Sequence, residues 1–217
     1  MDGERLLKRD LFGEVTLKHT ARGQVVVRNA GAAPWWTRWI ARHLLRREAR
    51  ALAALDGIDG VPELVRSDRD TLERSFLDGE PLYVARTKDP AWFRDASHLL
   101  RKLHRAGVCH NDLAKEPNLL VRDDGSPGII DYQLASYSRN RSKLFRIAAY
   151  EDLRHLLKHK RYYRPDLLTQ RERDILANPS PFSRLYMGTV KPVYMFVTRR
   201  LLGWADREGA ADRNRHS

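Results

Sequence analysis

The chain has 217 residues, with 40 Lys+Arg against 28 Asp+Glu and a formal net charge of +12. That length suits one domain or two small lobes sharing a cleft, and 42% hydrophobic residues without a low-complexity tract exclude wholesale disorder. A single cysteine, Cys109, excludes an intramolecular disulfide framework and a cysteine-rich zinc site, and points to an intracellular protein. Met1–Arg5 carries charges with no apolar run behind them, so no secretory signal is expected, and no apolar window approaches the roughly 18 to 20 residues of a membrane span. The basic excess leaves three classes of partner: nucleic acid, an anionic membrane surface or a phosphorylated ligand.

The first thirty residues read as a three-stranded antiparallel meander, Leu6–Leu11, Val15–Thr20 and Gln24–Asn29, with Gly13 and Gly23 at the joins. Pro34 marks a helix start, and Trp35 to Leu55 places Ile40, Leu44, Leu45, Leu52 and Leu55 inward. One charge breaks that stripe: Glu48 projects from the apolar face, and a buried carboxylate needs a cationic or hydrogen-bonding partner. Glu63 to Leu82 offers further strand, with Asp78-Gly79 as a turn, and the best lobe boundary falls just after it, near residues 78 to 90.

Asp89-Pro90 predicts a capped helix with Trp92, Ala96, Leu99, Leu100 and Leu103 inward, closed by Gly107. Val108-Cys-His110 follows, then a hairpin of Leu119–Val121 and Gly128–Ile130 around Asp123-Asp-Gly-Ser126. Beyond Tyr150 the pattern is helical: Glu151–His159, a capping box at Thr169-Gln-Arg-Glu172, and an apolar-basic segment over 190–204.

The informative stretch is His110-Asn-Asp-Leu-Ala-Lys-Glu-Pro-Asn118, followed by Ile129-Ile-Asp131-Tyr-Gln133. A helix delivers a loop bearing His, Asp and Asn, a hairpin follows, and a second Asp ends its return strand. Phosphoryl transfer needs such a set: one carboxylate for the attacking hydroxyl, another carboxylate and an amide oxygen for Mg²⁺. His110 reads as a structural histidine of that loop, and Cys109 as a small core residue beside it.

Here the chain resembles the protein-kinase-like superfamily, and within it the bacterial RIO-like and lipopolysaccharide-core (Kdo or heptose) kinases, where Ile-Asp-aromatic-Gln stands for Asp-Phe-Gly. The resemblance implies an α+β, two-lobed protein-kinase-like fold with a short activation segment. A small antiparallel β-rich N-lobe would occupy residues 1–80, and a mainly helical C-lobe residues 81–217, with the catalytic loop at 108–121 and the metal-binding strand end at 128–133. It implies ATP and Mg²⁺ as cofactors, Asp112 as catalytic base, and Asp131 with Asn118 as metal ligands. Arg28 would hold the third-strand lysine position and pair with Glu48, Lys18 would be a second phosphate contact, and Glu73 to Leu77 the hinge that meets adenine.

The chain departs from the pattern at four points. Arg28 replaces Lys; Asn118 follows Asp112 by six residues instead of five; only Gly13 represents the glycine loop; and no Ala-Pro-Glu follows Gln133. The expected activity is transfer of the γ-phosphoryl group to a hydroxyl of a protein Ser/Thr or of a lipid-linked sugar. The alternative is an impaired pseudokinase that binds membrane or RNA.

Trp35, Trp36 and Trp39 sit among Arg38, Arg42, Arg46, Arg47 and Arg50, and Tyr194, Phe196 and Trp204 flank Lys191, Arg199 and Arg200. For the first group the leading expectation is packing between the lobes. The alternative for both groups is the headgroup layer of an anionic bilayer, which would place a cytoplasmic protein peripherally on the inner face of the cell membrane. Residues 138–164 hold nine Lys+Arg and two Asp+Glu. No zinc spacing, RNP motif or helix-turn-helix signature accompanies that charge, so nucleic acid ranks below an anionic acceptor.

Overall fold

The computed structural model describes residues 4–178 apart from Arg22. Strands β1 (Glu4–Asp10), β2 (Gly13–Thr20) and β3 (Gly23–Asn29) form the predicted meander, and β5 (Thr71–Ser75) and β4 (Leu64–Ser67) extend it to a five-stranded antiparallel sheet of order β1-β2-β3-β5-β4. The β1–β2 connection is only Leu11-Phe12, with Asp10 cross-strand from Gly13. Gly13 has φ of 115°, and a Cβ there would lie 2.1 Å from the Asn29 carbonyl oxygen, so only glycine fits.

Helix α1 runs Arg38–Ala54 and starts three residues later than the periodicity suggests. The Pro34 carbonyl accepts from the amides of Thr37 and Arg38, and the Thr37 hydroxyl donates to the Leu11 carbonyl, which ties the helix entrance to the β1–β2 turn. The α1 face that meets the sheet buries Ala41, Leu45, Glu48 and Leu52. Trp35, Trp36 and Trp39 lie outside that interface, at 83%, 49% and 68% exposure, which overturns their expected packing between the lobes.

After the first sheet the chain passes through 76–79 into β6 (Glu80–Pro81), which belongs to a second sheet with β8 (Leu119–Val121) and β9 (Pro127–Ile129). A one-turn helix α2 (Leu82–Ala85) leads to α3 (Pro90–Arg105). The Asp89 carboxylate accepts from the Ala91 amide at the start of α3, and Gly107, at φ of 84°, follows its end. Helix α3 buries Trp92, Phe93, Ala96, Leu99, Leu100 and Leu103 along one stripe. Strand β7 (Val108–Cys109) pairs with β10 (Ser136–Tyr137), and α4 (Lys143–Tyr163) and α5 (Gln170–Ala177) complete the described chain. Thr169 and Glu172 form the predicted capping box. Only residues 132–142 separate Asp131 from α4, so the segment between them is short.

One hydrophobic interior runs through both halves, from Leu45, Leu52 and Leu72 beneath the first sheet to Leu100, Leu113 and Tyr132 beside the second. The architecture is therefore the expected two-lobed α+β fold, with the loop after β7 and the end of β9 opening toward α1 and β3. Tyr194, Phe196, Trp204 and the basic residues around them lie outside the described residues. Among the described residues no helix is long and apolar enough to cross a membrane.

Candidate active site

The loop after β7 is held from below by one buried carboxylate. Asp152 of α4, 1% exposed, accepts from the His110 amide at 2.7 Å and the Asn111 amide at 2.8 Å, while His104 of α3 lies 3.2 Å away. Asn111 turns with φ of 66°, a conformation asparagine tolerates, and its amide donates to the Leu134 carbonyl at 2.8 Å. His110 is fully buried and structural, as expected. Its Nε2 donates to the Ile130 carbonyl at 2.9 Å, and its Nδ1 accepts from the Asp112 amide at 3.3 Å. One imidazole thus locks the Asp112 loop to the strand end before Asp131.

The extra residue between Asp112 and Asn118 is absorbed by a 3-10 turn over Glu116–Asn118. Glu116 turns inward to α4, where the Tyr163 hydroxyl donates to it at 2.8 Å and His159 lies 3.6 Å away. The displacement therefore does not carry Asn118 out of the site. Its Nδ2 donates to the Asp112 carbonyl at 2.9 Å and to Asp112 Oδ2 at 3.3 Å, and its own carbonyl accepts from the Ile130 amide. Lys115 also reaches Asp112 Oδ2, at 3.0 Å.

Asp131 sits at φ of 67° and ψ of 71°, sparsely populated for a non-glycine residue and consistent with a position held by its surroundings. Gln133 donates to Asp131 Oδ1 at 2.8 Å. Burial pushes the Asp131 carboxyl upward, but the Arg28 charge, the Gln133 hydrogen bond and the Arg74 charge outweigh it, leaving its pKa below the usual aspartate value. The chain just beyond is fixed by Arg47 of α1, which donates to the Leu134 and Ala135 carbonyls at 2.7 and 3.1 Å.

The inward carboxylate of α1 finds its partners. Glu48, 1% exposed, lies 3.2 Å from Arg28 of β3 and 3.3 Å from Arg74 of β5. The sheet register explains the convergence: Arg28 is cross-strand from Leu72 and Val26 from Arg74, so both guanidiniums leave the face that α1 covers. Burial draws the Arg74 pKa down and Glu48 opposes that, as expected for a cation kept inside only because a carboxylate meets it. The Arg28 contact is an ion pair without a hydrogen bond to Glu48 Oε2, which leaves Arg28 N–H donors for a second acceptor.

Lys18 is not part of this group. It is cross-strand from Val25, and the alternation of β2 and β3 puts it on the opposite face from Arg28, where it pairs with Glu4 at 3.6 Å. The expected hinge also shifts: Glu73 and Arg74 are inside β5, and the connection between the sheets is 76–79.

Three contributors escape the sequence reading, namely Arg74, Lys115 and Asp152. Two of them had a signal. Asp152 interrupts an apolar helix face between Phe145 and Leu156 as Glu48 does, and Arg74 shares the period-two face of Leu72.

The donor set suits Mg²⁺. Asp131 supplies an ionised carboxylate, Asn118 has its amide oxygen left after Nδ2 is engaged, and both are hard oxygen ligands. A second cluster, His104, Cys109 and Asp152, does not suit a metal. Asp152 already accepts two backbone amides, and burial raises the Cys109 thiol pKa well above its usual value, against the thiolate that a metal requires.

The comparisons with known proteins bear on the fold and the family. Two crystal structures of the Rio2 kinase from Chaetomium thermophilum match the fold, one of the kinase alone and one of its ADP/Mg²⁺-phosphoaspartate complex. The first has 17% identity and a TM-score of 0.58, the second 18% and 0.57. Each match covers 83% of this chain, but only 60% and 58% of the respective kinase chain, so this chain spans under two thirds of their length. No curated protein matches in sequence. The family model for the APH phosphotransferases covers residues 25–139, from β3 through the Asp112 loop to the segment beyond Asp131. That range holds every residue gathered in the cleft except the α4 anchor, and the chain belongs to the phosphotransferase enzyme family.

Proposed function

We propose that the chain is an ATP- and Mg²⁺-dependent kinase that phosphorylates a sugar hydroxyl of a lipid-linked, lipopolysaccharide-type saccharide. The observation that carries the kinase reading is the hydrogen-bonded frame that joins the Asp112 loop and Asn118 to the strand end before Asp131, with the Arg28–Glu48 ion pair beside it and the Arg28 charge acting on Asp131. Asp112 orients the attacking hydroxyl and accepts its proton. Asp131 and Asn118 hold Mg²⁺, which when bound neutralises charge on the nucleotide phosphates, and Arg28 positions those phosphates while Glu48 and Arg74 fix its direction. The donors are prearranged, so the electrostatic part of the barrier reduction needs little reorganisation.

Two features favour a saccharide over a protein acceptor: the absence of an Ala-Pro-Glu platform after Gln133, and the shortness of the 132–142 segment. The test is transfer of radiolabelled γ-phosphate from ATP to a deacylated lipopolysaccharide core and, separately, to a Ser/Thr peptide library. Label on the saccharide is expected; label confined to peptides would transfer the proposal to the protein-kinase branch. Wild-type turnover no greater than that of Asp112→Asn would instead establish the pseudokinase.

The exposed indoles support a peripheral membrane location for such an enzyme. Three tryptophans within five residues, with Arg46 and Arg50 exposed on the following helix, suit an anionic headgroup layer. Flotation with anionic vesicles should retain the wild-type chain at low salt, and Trp35→Ser/Trp39→Ser should reduce the bound fraction about tenfold or more, from the lost burial of two large apolar side chains. Equal flotation of both would remove the tryptophans from the contact.

A further inference from the structure

The Asp-Phe-Gly motif of protein kinases ends on a residue without a side chain, whereas Asp131-Tyr-Gln133 ends on a glutamine whose amide turns back on the aspartate. Tyr132–Leu134 is a 3-10 turn, and from within it Gln133 Nε2 donates to Asp131 Oδ1 at 2.8 Å. The turn is pinned on both flanks. Tyr132 is fully buried, its ring edge-on to His110 with centroids 4.9 Å apart. The Leu134 and Ala135 carbonyls accept from Arg47, and the Leu134 carbonyl also accepts from Asn111. Held by the Asp112 loop on one side and by α1 on the other, the Gln133 amide is a fixed part of the Asp131 surroundings.

In protein kinases the aspartate of that motif and the catalytic-loop asparagine hold two Mg²⁺ ions. The oxygens of this chain do not stretch so far. Asp131 Oδ1 takes the Gln133 amide, and Asp112 Oδ2 takes Lys115 at 3.0 Å and Asn118 Nδ2 at 3.3 Å. With Asp112 Oδ1 left to the attacking hydroxyl, the metal has Asp131 Oδ2 and the Asn118 amide oxygen. That pair suffices for one Mg²⁺, which takes only one or two protein carboxylates or so beside nucleotide phosphates and water. An oxygen with one hydrogen bond keeps a lone pair, but a second cation at Oδ1 would meet the N–H end of the amide. Arg28 and Arg74, whose charges help to hold Asp131 ionised, oppose it further.

We propose that Gln133 is a positioning residue that stands in for a second metal ion: its amide occupies Asp131 Oδ1, and the site works with a single Mg²⁺. The assignment rests on the kinase reading for the presence of a nucleotide-bound ion, and adds to it how many ions the chain accepts.

The test counts Mn²⁺, a paramagnetic probe of Mg²⁺ sites, on the full chain with an equimolar non-hydrolysable ATP analogue, reading the free ion by electron paramagnetic resonance. About one Mn²⁺ per chain is expected for the wild type and about two for Gln133→Ala, which clears Oδ1. A merely structural role would weaken the first ion but not add a second. Gln133 is half-buried, and should the alanine variant lose its near-ultraviolet circular dichroism, Gln133→Glu decides in its place. That variant keeps the length and sets a second carboxylate against the first, a repulsion that a shared cation relieves, so about two ions are expected there as well. Two ions in the wild type overturn the proposal, as does a single ion in the deciding variant. A wild type that takes one ion with the nucleotide but never turns over keeps this assignment and loses the kinase reading; turnover with two ions does the reverse. No nucleotide-dependent Mn²⁺ uptake in any chain dismisses both.

Discussion

Asp112→Asn is expected to lower ATP-dependent phosphate transfer by about 10²- to 10⁴-fold, the range of a lost general base. The substitution is nearly isosteric, and the asparagine oxygen still accepts from Asn118 Nδ2 and faces Lys115, so the loop keeps its frame. Thermal unfolding should therefore move little while kcat collapses. Asp131→Asn should produce a comparable loss by a different route. It removes the carboxylate that Arg28, Gln133 and Arg74 hold ionised, and with it the proposed principal metal ligand. Titration with Mg²⁺ separates the two: Asp112→Asn should retain the wild-type Mg²⁺ dependence of nucleotide binding, and Asp131→Asn should lose it. Wild-type activity in either variant would dismiss that residue's assigned role.

Asp152→Ala should be the most damaging change outside the reacting groups, at about 3–5 kcal/mol of stability. The alanine strands the buried His110 amide and the part-buried Asn111 amide and removes the partner of His104, and a buried unsatisfied group costs about 1–3 kcal/mol. Asp152→Asn keeps one acceptor oxygen but turns an N–H toward another N–H, so its loss should be intermediate. Urea unfolding gives the stabilities, and activity assayed well below each midpoint separates loop displacement from unfolding. A loss under about 1 kcal/mol in Asp152→Ala would mean that the loop is anchored elsewhere.

Glu48 shows how much was legible in the chain. Its place on an apolar helix face demanded a cation, and the third-strand arginine of the resemblance supplied one; the structure joins them at 3.2 Å. The rule that found Glu48 applies equally to Asp152 but gains force only when the face is known to be buried, and α4 carries too many charges for its inner stripe to stand out. Arg74 hid for a related reason. In a five-residue strand the alternation rests on Leu72 alone, and whether that face meets a helix is a tertiary fact. Lys18 failed through register: its strand was identified, yet pairing with Val25 turns it away from Arg28.

The first three strands, the hairpin after the Asp112 loop, helices α1 and α3, the caps at Asp89 and Thr169, and the residue types needed for phosphoryl transfer were determined by the sequence alone, because periodicity, turn chemistry and charge type are local properties. Where Asn118 comes to rest was decided only by the tertiary structure. Six residues from Asp112, it returns to that carboxylate because a 3-10 turn takes up the extra residue and α4 draws Glu116 inward. The basic excess was likewise visible from the start, but which of its charges are neutralised in pairs depends on which acids α4 and α5 bring within reach of which cations. That is a matter of packing across many residues of chain, and no local pattern records it.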